Sequence, residues 1–368
     1  MIPVNEPLLN GNEKKYLNEC IDTGWISSEG PFVKKFEEEF ALKTQRKHGV
    51  AVCNGTAALE IAIESLGITE GDEVIMPAFT IISCASAIIK SGAIPVLVDS
   101  DLETWNMDVS QIESKITSKT KAIMVVHIYG LTVDLDPVLS IAKKHGLKII
   151  EDAAEAHGQT YKGKPCGSFG DVSVFSFYPN KLITTGEGGM VLTDDDSIAD
   201  HLKSLRNLCF TVQKRFVHEE LGWNMRMTNL QAAIGLAQLE RWNESIARKR
   251  EIGNLYTELL KDEIGLSLPV IKTDYSDNIY WVFGFLLKDE NSSAEFVMKK
   301  LGEKGIGTRP FFYPMHLQPV LKRMGLFENE VYPNAEKMYN NGLYLPSGLA
   351  LTNEQVHEVV KTLKAILN

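Results

Sequence analysis

The 368-residue chain is short of positive charge: 38 Lys and Arg against 48 Asp and Glu leave a formal net charge of −10. Nucleic-acid binding needs basic residues clustered on one face, so this composition argues against such a partner. Cysteine is scarce too. Cys20, Cys53, Cys84, Cys166 and Cys209 are odd in number and never spaced C-x-x-C, so neither a disulfide framework nor a zinc site is indicated, and reduced, mostly buried thiols are expected. "HEELG" from 218 and "HEVVK" from 357 each lack the second histidine of a zinc-protease helix. No metal site is expected. Long apolar runs are missing: the longest, around "AIMVVHIYGL", falls well short of the roughly 18 residues a membrane helix needs. "MIPVNEPLLNG" has neither a basic leader nor an apolar segment. A cytoplasmic protein is expected, and any anionic ligand must be met by a local pocket.

A hydrophobic share of 44% against 23% charged is ordinary for a globular enzyme, and the length exceeds what one core comfortably supports. "GVAVCN", "DEVIMP", "IPVLVDS", "KAIMVVHIYG", "LKIIEDAA", "VSVFSF" and "GGMVLTD" read as seven strands. Between them, "TAALEIAIESLG" and "VLSIAKKHG" have apolar residues at helical spacing and end on Gly67 and Gly146, fitting C-terminal caps. The alternation predicts an α/β domain with a largely parallel sheet covered on both faces. From about Thr228 a long helix, "NLQAAIGLAQLERWNESIARKREIGNLYTELLK", changes the pattern, followed by "IYWVFGFLL", "AEFVMKKLGEKG", "GTRPFFYP" and "NEQVHEVVKTLKAIL". The expected division is a large domain over 1–240 and a small C-terminal α+β domain over 241–368.

Ligands of open α/β sheets sit beyond the carboxyl ends of the strands, and three such ends fit one ligand. In "VAVCNGTAALEIAI", a strand runs into Gly55, Thr56 and a helix whose free amides suit a phosphate; alone, this could be an ordinary N-cap turn. In "LKIIEDAAEAHG", Asp152 ends an apolar strand, where a carboxylate wants a positive partner such as a pyridinium nitrogen; alone, it could be a helix cap or part of a buried ion pair. In "FSFYPNKLITTGEGGMV", Ser176 closes a strand and Lys181 follows in a glycine-rich loop. A partly desolvated lysine has a lowered pKa and can bond to an aldehyde; alone, it could be a surface lysine. A phosphate cradle, an acid for a ring nitrogen and an amine for an aldehyde are what pyridoxal 5′-phosphate (PLP) requires.

Together with "EGDEVIMP", "GSFGDVSVFSF", "GWNMRMTNLQAAIGLAQLER" and "TRPFFYPMH", these stretches resemble the PLP-dependent sugar aminotransferases of the DegT/DnrJ/EryC1/StrS family across nearly the whole chain. The resemblance implies an aspartate-aminotransferase-like (fold type I) large domain. It implies that Lys181 makes the covalent link to the cofactor, Asp152 pairs with the pyridinium, Gly55, Thr56 and Ser176 hold the phosphate, and Glu155 lies near the ring's 3′-oxygen. Asn224 would reach the phosphate of a neighbouring subunit's cofactor, giving a homodimer with shared sites, or a tetramer built from it; Arg226, Arg309 and His316 would face the nucleotide sugar. The implied reaction passes the amino group of L-glutamate, through PLP and its amine form, to a keto sugar. Within the family the similarity is greatest to members using GDP-4-keto-6-deoxy-D-mannose for surface polysaccharide (O-antigen), with UDP- or dTDP-linked sugars as the alternative. A dehydratase branch carries histidine where this chain has Lys181. A regulator that binds PLP without turnover is the remaining alternative, but nothing here resembles a DNA-binding domain. One departure stands out: where many members place an aromatic ring to stack on the pyridine, the run Pro77-Ala78-Phe79-Thr80-Ile81 offers Ile81, with Phe79 as a substitute.

Overall fold

The computed structural model describes residues 1–211, 215–289 and 293–367. In chain order the first strands are β1 (His48–Val52), β2 (Glu73–Pro77), β3 (Ile94–Val98), β4 (Thr120–Val126) and β5 (Lys148–Asp152); β6 (Thr160–Tyr161) and β7 (Lys164–Pro165) form a separate hairpin; β8 (Val172–Ser176) and β9 (Gly189–Thr193) follow. The seven longer strands make one sheet in the order β1-β9-β8-β5-β4-β2-β3. They are the seven read from sequence. All run parallel except β9, which is antiparallel to both of its neighbours.

Alternating side chains go to opposite faces of a strand, and here both faces are apolar. Val74, Met76, Ala122 and Met124 pack beneath α3 (Gly55–Ser65), α4 (Ile82–Lys90) and α6 (Asp196–Leu205); Ile75, Ile123 and Val125 pack with α5 (Leu135–His145). Near β1, β8 and β9 the second face meets α2 (Pro31–Lys43) and α7 (Asn229–Glu240), with α1 (Glu13–Thr23) outside them. Phe36, Phe40, Phe175 and Phe177 are fully buried there, each contributing about 1.5–3 kcal/mol of transfer free energy. Gly146 caps α5 in the left-handed conformation as expected (φ 67°), whereas α3 is capped by Leu66 and Gly67 (φ 69°) follows it.

The helix expected as one piece after Thr228 is two, α7 and α8 (Trp242–Leu260), broken at Arg241 (φ −101°, ψ 19°). The break lets α8 leave the large sheet and pack against α12 (Asn353–Leu367), which also packs on α9 (Ala294–Glu303). These helices bury the antiparallel sheet β10-β11-β13-β12, made from β10 (Leu266–Ser267), β11 (Phe283–Leu287), β12 (Arg309–Pro310) and β13 (Gly342–Leu345). Two short helices, α10 (Pro319–Arg323) and α11 (Pro333–Asn341), lie between β12 and β13.

Candidate active site

Beyond the carboxyl ends of the large sheet lies a cavity of about 640 Å³ whose wall includes Gly55, Thr56, Ile81, Ser83, Asp152, Glu155, Ser176 and Lys181. The turn at its floor is built by Asn54, the N-cap of α3. Its side chain accepts the Ala57 N–H at 2.8 Å and its carbonyl accepts that of Ala58, which leaves the amides of Gly55 and Thr56 as first-turn donors at the wall. A Cβ on Gly55 would stand 2.8 Å from the Ser176 Cβ, so only glycine allows β8 and α3 to meet so closely. The Thr56 hydroxyl is 2.9 Å from that of Ser83. Three hydroxyls and two free amides at a helix N-terminus are a donor set suited to a phosphate.

Asp152 is 2% exposed, and burial pushes its carboxyl pKa up. Its oxygens accept only the Ala154 N–H, at 3.0 Å, and the Cys84 thiol, at 3.3 Å. A buried carboxylate without a cation in contact suits a pyridinium nitrogen. Glu155 accepts the Tyr129 N–H at 2.8 Å and lies 3.7 Å from Lys181 Nζ; burial pushes its pKa up to about 7, opposed by the lysine. Burial pushes Lys181 down, opposed by Glu155 and Asp152. The Lys181 ammonium also stands 3.9 Å from the centroid of the Trp281 ring.

The remaining sequence candidates lie apart. Asn224 and Arg226 flank Met225, whose carbonyl accepts the Cys53 N–H at 2.8 Å, so their segment adjoins the turn of Asn54, Gly55 and Thr56. Yet Asn224 is exposed and Arg226 donates to Asn207, and neither forms part of the cavity wall. Arg309 is exposed on β12 opposite Tyr344, a wall residue. His316 is buried outside the cavity, 2.9 Å from Glu336 and against the Tyr332 ring. Of the two ring-covering candidates, Ile81 is in the wall and 43% exposed, whereas Phe79 is fully buried among Tyr129, Phe311 and Phe312.

Ser83, Trp281, Phe312 and Tyr344 are among the further wall residues that were not singled out from sequence. Ser83 alone had a signal, since it follows the end of β2 just as Gly55 follows β1. Among the described residues one buried group, His127, Glu151 and Cys166, has metal-ligand spacing. Two of its three side chains are committed: Val133 N–H donates into His127 Nδ1, so Nε2 carries the proton and donates to Glu151 at 3.0 Å, and Glu151 also accepts from Gly167 and Phe169.

Residues 7–364 match the DegT/DnrJ/EryC1/StrS aminotransferase family, and the chain belongs to that family. It is 46% identical to the GDP-perosamine synthase of Escherichia coli O157:H7, covering 96% of this chain and 95% of that protein. It is 43% identical to the GDP-perosamine synthase of Vibrio cholerae over the full length of both. Among solved structures, Spr1654 of Streptococcus pneumoniae, known in PLP and PMP forms, matches with a TM-score of 0.92 at 28% identity, covering 99% of this chain and at least 97% of that one. No helix among the described residues is long and apolar enough to cross a membrane.

Proposed function

We propose that the protein is a PLP-dependent sugar aminotransferase that moves the amino group of L-glutamate to the 4-keto carbon of GDP-4-keto-6-deoxy-D-mannose, giving GDP-perosamine for a surface polysaccharide such as O-antigen. The observation that carries this reading is the meeting of Lys181, Asp152, Glu155 and the Gly55–Thr56 turn in one cavity. When bound, the cofactor supplies an aldehyde that takes up the amino group and a ring that withdraws electrons from the reacting carbon.

The chain's own residues do the rest. The Gly55 and Thr56 amides and the hydroxyls of Thr56, Ser83 and Ser176 would hold the phosphate. Asp152 would keep a proton on the ring nitrogen, and that charge would keep Asp152 an anion. Glu155 and Ile81 would flank the ring. Lys181 would carry a proton between the substrate carbon and C4′ of the cofactor, as general base and then general acid; its burial supports this role, because it brings the amine's pKa toward the working pH.

The same reading divides the chain near the break at Arg241, with 1–240 carrying the cofactor site and 241–368 supplying its cover through Trp281 and Tyr344. It also makes the protein a cytoplasmic homodimer. Exposed Asn224, beside the phosphate turn of its own chain, would serve the partner's site, with Arg226 and Arg309 meeting the sugar's diphosphate. His316 is left with a packing role.

The GDP sugar is supported by the full-length similarity to GDP-perosamine synthases. Assays with glutamate and a panel of GDP-, UDP- and dTDP-4-keto sugars test it. A kcat/KM for a UDP or dTDP sugar that equals or exceeds the GDP value overturns the substrate while leaving the aminotransferase standing.

A further inference from the structure

Trp281 is held by more restraints than its place before β11 requires. Tyr280, which precedes it, has left-handed backbone (φ 53°), a conformation costly for an aromatic residue and found where the surroundings over-determine it. Asn278 Oδ1 accepts the Tyr280 N–H at 2.7 Å. Gly253 on α8 makes room for the Tyr280 ring, which a Cβ would approach to 2.2 Å. The tryptophan itself is tied twice: its Nε1 donates to the carbonyl of Asn180 at 2.9 Å, next door to Lys181, and its own carbonyl accepts from Lys249 Nζ at 2.7 Å. Lys249 is 2% exposed, also donates to the Ser347 carbonyl, and has its pKa pushed down by burial to about 7.

We propose that Trp281 is a positioning residue for Lys181: its ring, anchored through Asn180 and Lys249, holds the free ammonium at the cavity wall and favours its protonated form. This rests on the reading of Lys181 as the proton-moving amine. A cation over a desolvated indole face is stabilised by an amount that corresponds to roughly one pKa unit. The other groups near the ammonium are Glu155 and Asp152 at the end of β5, Cys84 on α4, His157 after β5, and Lys249 on α8. Glu155 and Asp152 favour the proton's retention; burial and Lys249 oppose it.

The test is the pH dependence of acetic anhydride labelling at Lys181, read by mass spectrometry on the full-length, cofactor-free protein. Trp281→Leu is expected to move the labelling midpoint down by about one pH unit. Trp281→Phe, which keeps an aromatic face but loses the Asn180 anchor, should fall between the two; Trp281→Met replaces the Leu variant should that one not fold. In the loaded enzyme the Leu variant should lose kcat with little change in the KM for glutamate. An unmoved midpoint in a folded, non-aromatic variant overturns the proposal. Turnover surviving in Lys181→Ala would instead sink the role given to the lysine and leave the labelling result intact.

Discussion

Lys181 and Glu155 face each other across 3.7 Å in a site that disfavours charge on both. Lys181→Ala is expected to leave the far-UV circular dichroism unchanged and to lower turnover by about 10²–10⁴, the usual worth of a proton-transfer group. Wild-type rates in this variant would refute the assignment. Glu155 gives a second expectation. Its folded pKa of about 7 lies above the ordinary 4.5, so between those values the folded protein keeps a proton that the unfolded chain releases. The stability this group contributes is therefore full below about pH 4.5 and is lost as pH rises to about 7. The melting temperature of the cofactor-free protein should fall across that window relative to Glu155→Gln, and parallel curves for the two proteins would refute it. Lys181, Asp152, Thr56 and Ser176 were legible as cavity residues because each ends or follows a strand in the sequence itself. Trp281 and Tyr344 were not, because they come from just before β11 and from β13 and meet the cavity only through tertiary packing. The sequence also offered both Phe79 and Ile81 for the ring; Ile81 is in the cavity wall, whereas Phe79 is fully buried behind it.

At the scale of elements, apolar runs bounded by turn residues marked all seven strands, since strands buried on both faces must be apolar throughout. Their order was not legible, and neither was the reversal of β9, because pairing depends on partners distant in the chain. The break at Arg241 also escaped the helical pattern: amphipathic spacing continues across it while the backbone turns. The contact between α3 and β8 is a tight seam of the site. Gly55→Ala would drive a Cβ to 2.8 Å from Ser176, and overpacking of this kind costs about 1–3 kcal/mol. We expect the variant to fold but to release the cofactor at roughly tenfold higher dissociation constant, read by titration of tryptophan fluorescence. Unchanged affinity would show that the phosphate sits elsewhere.

For the whole molecule, the decisive expectation concerns assembly. If Asn224 and Arg226 serve a neighbouring site, mixing inactive Lys181→Ala chains with an inactive Asn224→Ala/Arg226→Ala double variant should restore part of the activity, because one site of each mixed dimer escapes both defects. No recovery after confirmed subunit exchange would mean that each site is built from a single chain. The placement of β1 has a further consequence, for the order of events during synthesis. Val52, at the end of that strand and just before the turn of Asn54, Gly55 and Thr56, pairs with Gly189, about 140 residues later. At translation rates of about 5–20 residues per second, the strand waits on the order of ten seconds for its partner to be made. The turn after β1, the proposed phosphate site, is thus among the first parts of the fold to leave the ribosome, but β1 has no strand to pair with until β9 has followed the lysine loop out. Cofactor capture is then a late step of maturation, and a chain interrupted before β9 carries its phosphate turn without a site.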